Sequence, residues 1–437
     1  MKKTILFIIL VVALVGLGTV ARSQTSTHIY GADDPAVDVQ AVQDAVDTYD
    51  IVYLQGTFDL GDKRVRIKRS VEILGGGTDA HGQYLTRIEG GMLGALCANV
   101  DPDVEWAVRD IEFDGGSNPI LTRDSKHFEV TGCSISLDST TDGRGIALVS
   151  NGVTGSAIIK DNYIDVSGVA NWRWGIFTQS IFADVEVVGN TVNNFCTTGI
   201  WVNSAGNIQI TDNTITAGPA GPTDYRNGIL VGSWSLPPGD RGNIEVTDNT
   251  IITGGHQKDN GIATEDQKQE LRAVCKVEDN VITYVDGSLS GSGILVLNHT
   301  SNWTFKDNTI NGGGHELLAG IALYPGIVNE VGIQEGNVFI DNDVFDANLA
   351  LGSVFVDSSA QASYNVFVMN EFEHIGGDGF FVDGDNNWLL MNKIEDVTGD
   401  AIVLKGDYNT VHGNKILNIG GLDIVDEGIG NIIGDNN

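Results

Sequence analysis

The sequence predicts an all-β solenoid: one domain of stacked coils with a short helix closing its N-terminal end. Two repeated marks and their spacing predict it. Asp-Asn-Thr-Ile occurs at Asp212–Ile215, Asp248–Ile251 and Asp307–Ile310, and looser copies carry Asn162, Asn190, Asn280, Asn342, Asn370, Asn392 and Asn414. Steps between these Asn residues are 28, 23, 36, 31, 28, 34, 28, 22 and 22. A Gly-Ile or Gly-Phe mark falls between them at Gly175, Gly199, Gly228, Gly261, Gly293, Gly320 and Gly379. A repeat holding two short strands, with a floor near 22 residues, fits one solenoid coil. No coil buries its own apolar face, so coils must stack.

Taken in order, residues 1–23 read as an export signal. Lys2 and Lys3 give the positive start, Ile5 to Val20 the apolar stretch, and Ala21-Arg22-Ser23 the small-residue cleavage site. The stretch is short for a membrane span. A secreted or periplasmic protein with no membrane insertion after cleavage is expected. Residues 24–437 then form the solenoid: 24–50 an N-terminal segment and cap helix, 51–144 irregular first coils, 145–437 regular coils. Val39, Val42 and Val46 share one helical face over Val39–Val46. A helix there would cover an open sheet edge. Strands are expected at Ile51–Leu54, Gly56–Leu60, Val65–Ile67, Val71–Leu74, Asp110–Gly116 and Phe128–Val130. Farther on, Ile200, Val202, Ile208 and Ile210 should point inward and Trp201, Asn203 and Gln209 outward.

The formal charge is -33, with 58 acidic residues against 25 basic. Such a surface repels nucleic acid and anionic lipid, and an acidic polysaccharide too unless a divalent cation bridges them. Bound Ca²⁺ or a saline habitat would each explain the excess. Four Cys could make two disulfides. However, Cys275 stands where Ile208 and Ile244 stand in neighbouring repeats, and Cys133 takes an Asn position, so both read as members of the buried stack.

The cap helix, the Tyr53-Leu54-Gln55-Gly56-Thr57-Phe58 segment, the Val71–Leu74 strand and the two marks together resemble the right-handed parallel β-helix, or pectate-lyase-like, superfamily. The resemblance spans roughly residues 37–437. It implies a single-stranded right-handed parallel β-helix, and it leaves function open, because the superfamily holds lyases, hydrolases, epimerases and non-catalytic surface proteins. Of the polygalacturonase-type signatures only Arg66-Ile67-Lys68 is present, in an early coil, and the Asp-Pro-His motif of alginate epimerases is absent.

Coil stacking turns equal offsets into columns about 4.8 Å apart. Asn residues would stack as a structural ladder. An outward column, Phe177, Trp201, Leu230, Ala263, Leu295, Ala322, Phe355 and Phe381, would either pack sugar rings or lie under loops. Beside it stand Asn203, Glu265, Asp357 and Asp383. The two Asp suit a Ca²⁺ site, a retaining glycosidase pair, or plain surface acids. A third column follows the Asn mark by six or seven residues: His256, Asp286 and His315, with Lys258 close by. These could supply a base and its orienting acid, or be ordinary turn residues. Trp172, Arg173, Trp174, Tyr225 and Arg226 precede them on the same edge as candidate substrate contacts. The expected function is polysaccharide binding along the lateral face, with lyase or glycoside hydrolase activity. The alternative is a non-catalytic surface or matrix adhesion protein.

Overall fold

The computed structural model describes residues 24–95, 103–123, 125–137, 142–149, 153–167, 172–218, 226–232, 241–255, 258–266, 274–286, 288–324, 333–357 and 361–437. The expected signal segment lies outside them. The chain begins with a strand, Ser26–Tyr30, that the sequence reading did not anticipate; it pairs in parallel with Ile51–Gln55. A helix follows over Pro35–Thr48. Asp34 caps it by accepting the Ala36 amide at 2.9 Å, and Pro35 occupies the first turn, where no amide hydrogen is needed. Val42, Ala45 and Val46 close the end of the core. The buried Asp38 carboxylate accepts the amides of Ala32, Asp34 and Asp59, which fastens the cap to the first coil.

Each regular coil has three strands, one more than the marks suggested. One full turn runs Ile208–Thr211, Thr214–Ala217 and Arg226–Gly232, and the next runs Ile244–Thr247, Thr250–Thr253 and Asp259–Asp266. These define three columns of parallel strands, paired in register as Ile208↔Ile244, Thr214↔Thr250 and Ile229↔Ile262. The extra division falls at the Asp of the mark. Asp212, Asp248, Asp279 and Asp307 all have φ between 52° and 58°. That left-handed turn, which Asp tolerates better than most residues, ends the first strand and starts the second.

The Asn beside it forms the expected ladder. Asn213 donates its side-chain amide to Asn249 Oδ1 at 2.9 Å, and also to Val187 O and Thr211 O. The same pattern links Asn162 through Asn414 and on to Asn436. Cys133 stands at its head, its amide donating to Asn162 Oδ1 at 2.9 Å. A second ladder, Asn337, Asn365, Asn387 and Asn409, runs beside the first column. Along the first ladder the buried side-chain amides are thus satisfied coil by coil.

The two sequence marks are physically coupled. A Cβ on Gly199 would lie 2.5 Å from Ile215 Cγ2, and Gly228 and Gly261 stand likewise toward Ile251 and Ile282. Glycine in one coil makes room for the mark isoleucine of the next. The core is continuous from Val42 to Val411 and includes the stacked rings of Phe305, Phe339 and Phe367 at 4.7 Å steps. Cys133, Cys196 and Cys275 are buried.

Candidate functional site

The third column presents alternate side chains outward. At its N-terminal end this face carries an aromatic platform. Trp172 stacks on Trp174 (5.8 Å, 20°), Trp174 meets Phe177 edge-on (5.3 Å), and Phe177 meets Trp201 edge-on (4.8 Å). The Arg144 guanidinium lies 4.4 Å from the Phe177 ring and 4.9 Å from that of Trp174. Burial, and the charge of Arg123, hold the Arg144 pKa below its ordinary value. The rings lock one another, since each such pair contributes about 0.5–1.5 kcal/mol beyond its buried area. Trp172 stays 49% exposed. Arg144 is a member of this site that sequence reasoning missed; its register pairing with Trp174 placed it there.

Farther along, the same outward column is covered. Ala263, Leu295, Ala322 and Phe355 are buried in an apolar cluster separate from the main core, with Leu230, Leu297, Leu351 and Phe381 packed against it. That covering rules out sugar stacking along Ala263, Leu295, Ala322 and Phe355 and leaves the Trp172–Trp201 end as the candidate. Asn203 is corrected as well: it is 1% exposed and unreachable by a polymer.

Glu265 stands beside this covered stretch, in register with Gly232 before it and Leu297 after it. Its carboxylate accepts from the Asn298 amide. Burial, with a lesser push from Asp266, raises its pKa to about 7. Gly232 is required there, because a Cβ would lie 1.7 Å from Glu265 O. Glu265 is two coils from Trp201 and two residues farther along the strand, about 12 Å away by strand spacing. A carboxyl group half-protonated at neutral pH can donate or accept a proton.

Arg173 and Arg226, expected as substrate contacts, are instead fully buried. Arg173 donates to Val166 O and to Ser167 O at 2.6 Å. Arg226 forms a two-point ion pair with Asp259, Nε to Oδ1 at 2.8 Å and a terminal nitrogen to Oδ2 at 2.5 Å. It also donates to Gly218 O and Gly254 O, each at 2.6 Å, while Asp259 accepts the Gly254 amide. The Tyr284 hydroxyl donates to Asp259 O at 2.8 Å. This network fixes Gly254 and Asp259. Lys258 directly precedes Asp259, and His256 and Tyr225 lie outside the described residues.

Asp286 packs against Gly255, where a Cβ would lie 3.4 Å from its Oδ2. His315 is one coil on, where a Cβ on Gly313 would lie 2.6 Å from Tyr284 O, and the His315 carbonyl accepts the Asn348 amide at 2.9 Å. Asp286 and His315 follow neighbouring strands, Val281–Tyr284 and Thr309–Asn311, with Asp286 exposed and His315 half-buried. Asp357 and Asp383 occupy neighbouring rungs, following the Val356↔Val382 pair, and both are half-buried. Among the described residues, the three-donor cluster able to hold a metal ion is elsewhere, at Glu373, His374 and Asp396.

Three columns of parallel strands joined at left-handed corner residues define a parallel β-helix. The right handed beta helix region family matches residues 96–273 and 175–348, and the chain belongs to that family. No curated protein matches it in sequence. Among solved structures it is similar to the catalytic domain of a GH87 alpha-1,3-glucanase in complex with tetrasaccharides: 12% identity, 92% of this chain, 66% of that one, TM-score 0.46. It is also similar to the A-module of the Azotobacter vinelandii mannuronan C-5 epimerase AlgE4 (17% identity, 92% and 94% covered, TM-score 0.42). A third is tailspike protein 3 of bacteriophage CBA120 (10% identity, 92% and 61% covered, TM-score 0.39). The chain spans slightly less than two thirds of the glucanase domain's length.

Proposed function

We propose that this is an exported polysaccharide-processing protein that holds a glycan along the outward face of its third strand column. In this reading Trp174 and Trp201 bind a sugar and Glu265 transfers the proton. One observation carries it: a rigid, partly exposed aromatic platform and a mostly buried carboxyl group share one outward face about 12 Å apart. Aromatic faces take the C–H side of sugar rings, and a carboxyl group kept neutral near pH 7 suits a general acid. Lys258, Asp286 and His315 border the glycan path on the adjoining edge. The charge of -33 favours a neutral glycan over a polyuronate at low ionic strength. Ca²⁺ at Asp357 and Asp383 would relax that preference.

The test is a polysaccharide panel with wild type and Glu265→Gln, reading new reducing ends and unsaturated-product absorbance. Reducing ends alone mean hydrolysis; both signals together mean elimination. Glu265→Gln should lower turnover about a hundredfold or more, the scale of a lost proton-transfer group, with glycan binding kept. Unchanged turnover in that variant removes Glu265 from the chemistry. Binding without turnover in the wild type establishes the adhesion alternative.

A further inference from the structure

A corner of the late coils gathers metal donors that the proposed glycan face does not use. Four residues after Asn342, Asn370, Asn392 and Asn414 stand Asp346, His374, Asp396 and Asn418, all with φ between 52° and 56°. The left-handed conformation breaks strand alternation, so two consecutive side chains, Glu373 and His374, both avoid the core. One donor atom each from Glu373, His374 and Asp396 lies within 4.8 Å of the others. His374 Nε2 is 3.4 Å from Asp396 Oδ2, and its Nδ1 is 3.3 Å from Asp346 Oδ1.

We propose that Glu373, His374 Nε2 and Asp396 bind one divalent transition-metal ion, with Asp346 behind the imidazole fixing its orientation. Three observations support it. First, charge-assisted hydrogen bonds run about 2.7–2.9 Å, and the contact between His374 Nε2 and Asp396 is longer. A nitrogen and an oxygen both about 2.1 Å from a tetrahedral ion are about 3.4 Å apart, which matches the Nε2–Oδ2 separation of 3.4 Å. Second, neighbouring acids are already neutralised: Lys393 pairs with both Glu371 and Glu395. Glu373 has no hydrogen-bond or ion-pair partner among the described residues. A cation is the group that completes it. Third, a carboxylate on the far ring nitrogen is the usual support of a metal-bound histidine, because it sets which nitrogen is free to coordinate.

The donor set selects the ion. Imidazole with two carboxylates suits Zn²⁺, Mn²⁺ or Co²⁺, whereas Ca²⁺ takes six to eight oxygens. Three protein donors leave at least one position for water or a ligand oxygen. A recess of about 540 Å³ adjoins, lined by Asn311, Gly313, Asp346, Asn348 and His374 among others.

The experiment is a Co²⁺ titration of the chelator-treated full chain. Millimolar Ca²⁺ and Mg²⁺ are present to occupy weak carboxylate sites, and visible d–d absorption is read, with Zn²⁺ calorimetry in parallel. One tight site per chain is expected. His374→Gln and Glu373→Gln should each abolish the band, and Asp346→Asn should weaken affinity about ten- to a hundredfold. Asp62→Asn, a fully exposed acid at the other end, should change nothing. These are surface substitutions, and circular dichroism confirms that each variant folds. No saturable band in the wild type, or an undiminished band in His374→Gln, overturns the site.

Discussion

Arg226→Met separates a structural role from a glycan-binding one. Arg226 and Asp259 are both fully buried, and the guanidinium makes two bonds to the carboxylate and two to carbonyls of neighbouring turns. Removing it deprives a buried carboxylate of its cation, which costs about 3–5 kcal/mol. The carbonyls of Gly218 and Gly254 add little, because both are only partly buried and water can replace the lost donors. Pairing the change with Asp259→Asn removes the stranded charge. The double variant should therefore recover at least about 1 kcal/mol relative to Arg226→Met alone, a coupling of the size seen within one ion-pair network. Urea unfolding followed by circular dichroism measures all four members of the cycle. A parent-like unfolding midpoint in Arg226→Met, together with a weakened glycan affinity, would falsify the clamp and restore Arg226 to the binding face.

Two further outcomes follow from the site. Glu265 has a folded pKa of about 7 against an ordinary 4.5. Between those values the folded state holds more protons than the unfolded one, so stability falls as pH rises through the window and the loss is complete above it. Glu265→Gln escapes that loss. Its stability relative to wild type should improve from pH 4.5 to pH 8.5 by at most about 3 kcal/mol, and a pH-independent difference would contradict the buried, proton-holding environment. Trp201→Ala removes the ring that meets Phe177 at 4.8 Å. If the platform holds a sugar, glycan dissociation constants should rise about five- to thirtyfold, as for about 1–2 kcal/mol of lost aromatic contact; equal affinity by calorimetry argues for a glycan path elsewhere.

Much of the fold was legible because its cause is periodic. An amide ladder needs Asn at every corner, a left-handed turn favours Asp before it, and a close coil contact needs Gly opposite Ile. Each requirement leaves a mark in most coils, and the inward assignments of Ile200, Val202, Ile208 and Ile210 followed from alternation. The third strand was not legible, because the short stretch from Ile208 to Ile215 reads as a single strand and the left-handed Asp212 divides it into two. The unexpected first strand, Ser26–Tyr30, lies outside the repeat and is held by pairing with Ile51–Gln55.

The site was harder to read for a different reason: offset gives adjacency, but it does not give exposure. Arg173 and Arg226 each stand two residues before a mark glycine, and so does Asp259 before Gly261. Read as surface charges, the arginines looked like substrate contacts; read together by offset, Arg226 and Asp259 already form a rung. Whether such a rung faces solvent depends on what the flanking connections cover, and connection length varies without period. The same argument explains Glu265. Alternation pointed it outward, yet packing around the covered apolar column buries the carboxyl and shifts its proton affinity. His374 marks the opposite case. Its offset of four from Asn370 matches Asp346 from Asn342 and Asp396 from Asn392, so the cluster was present in the sequence as a column of mixed chemistry. In a fold whose interior repeats, the informative positions are those where equal offsets hold residues that have no reason to be alike.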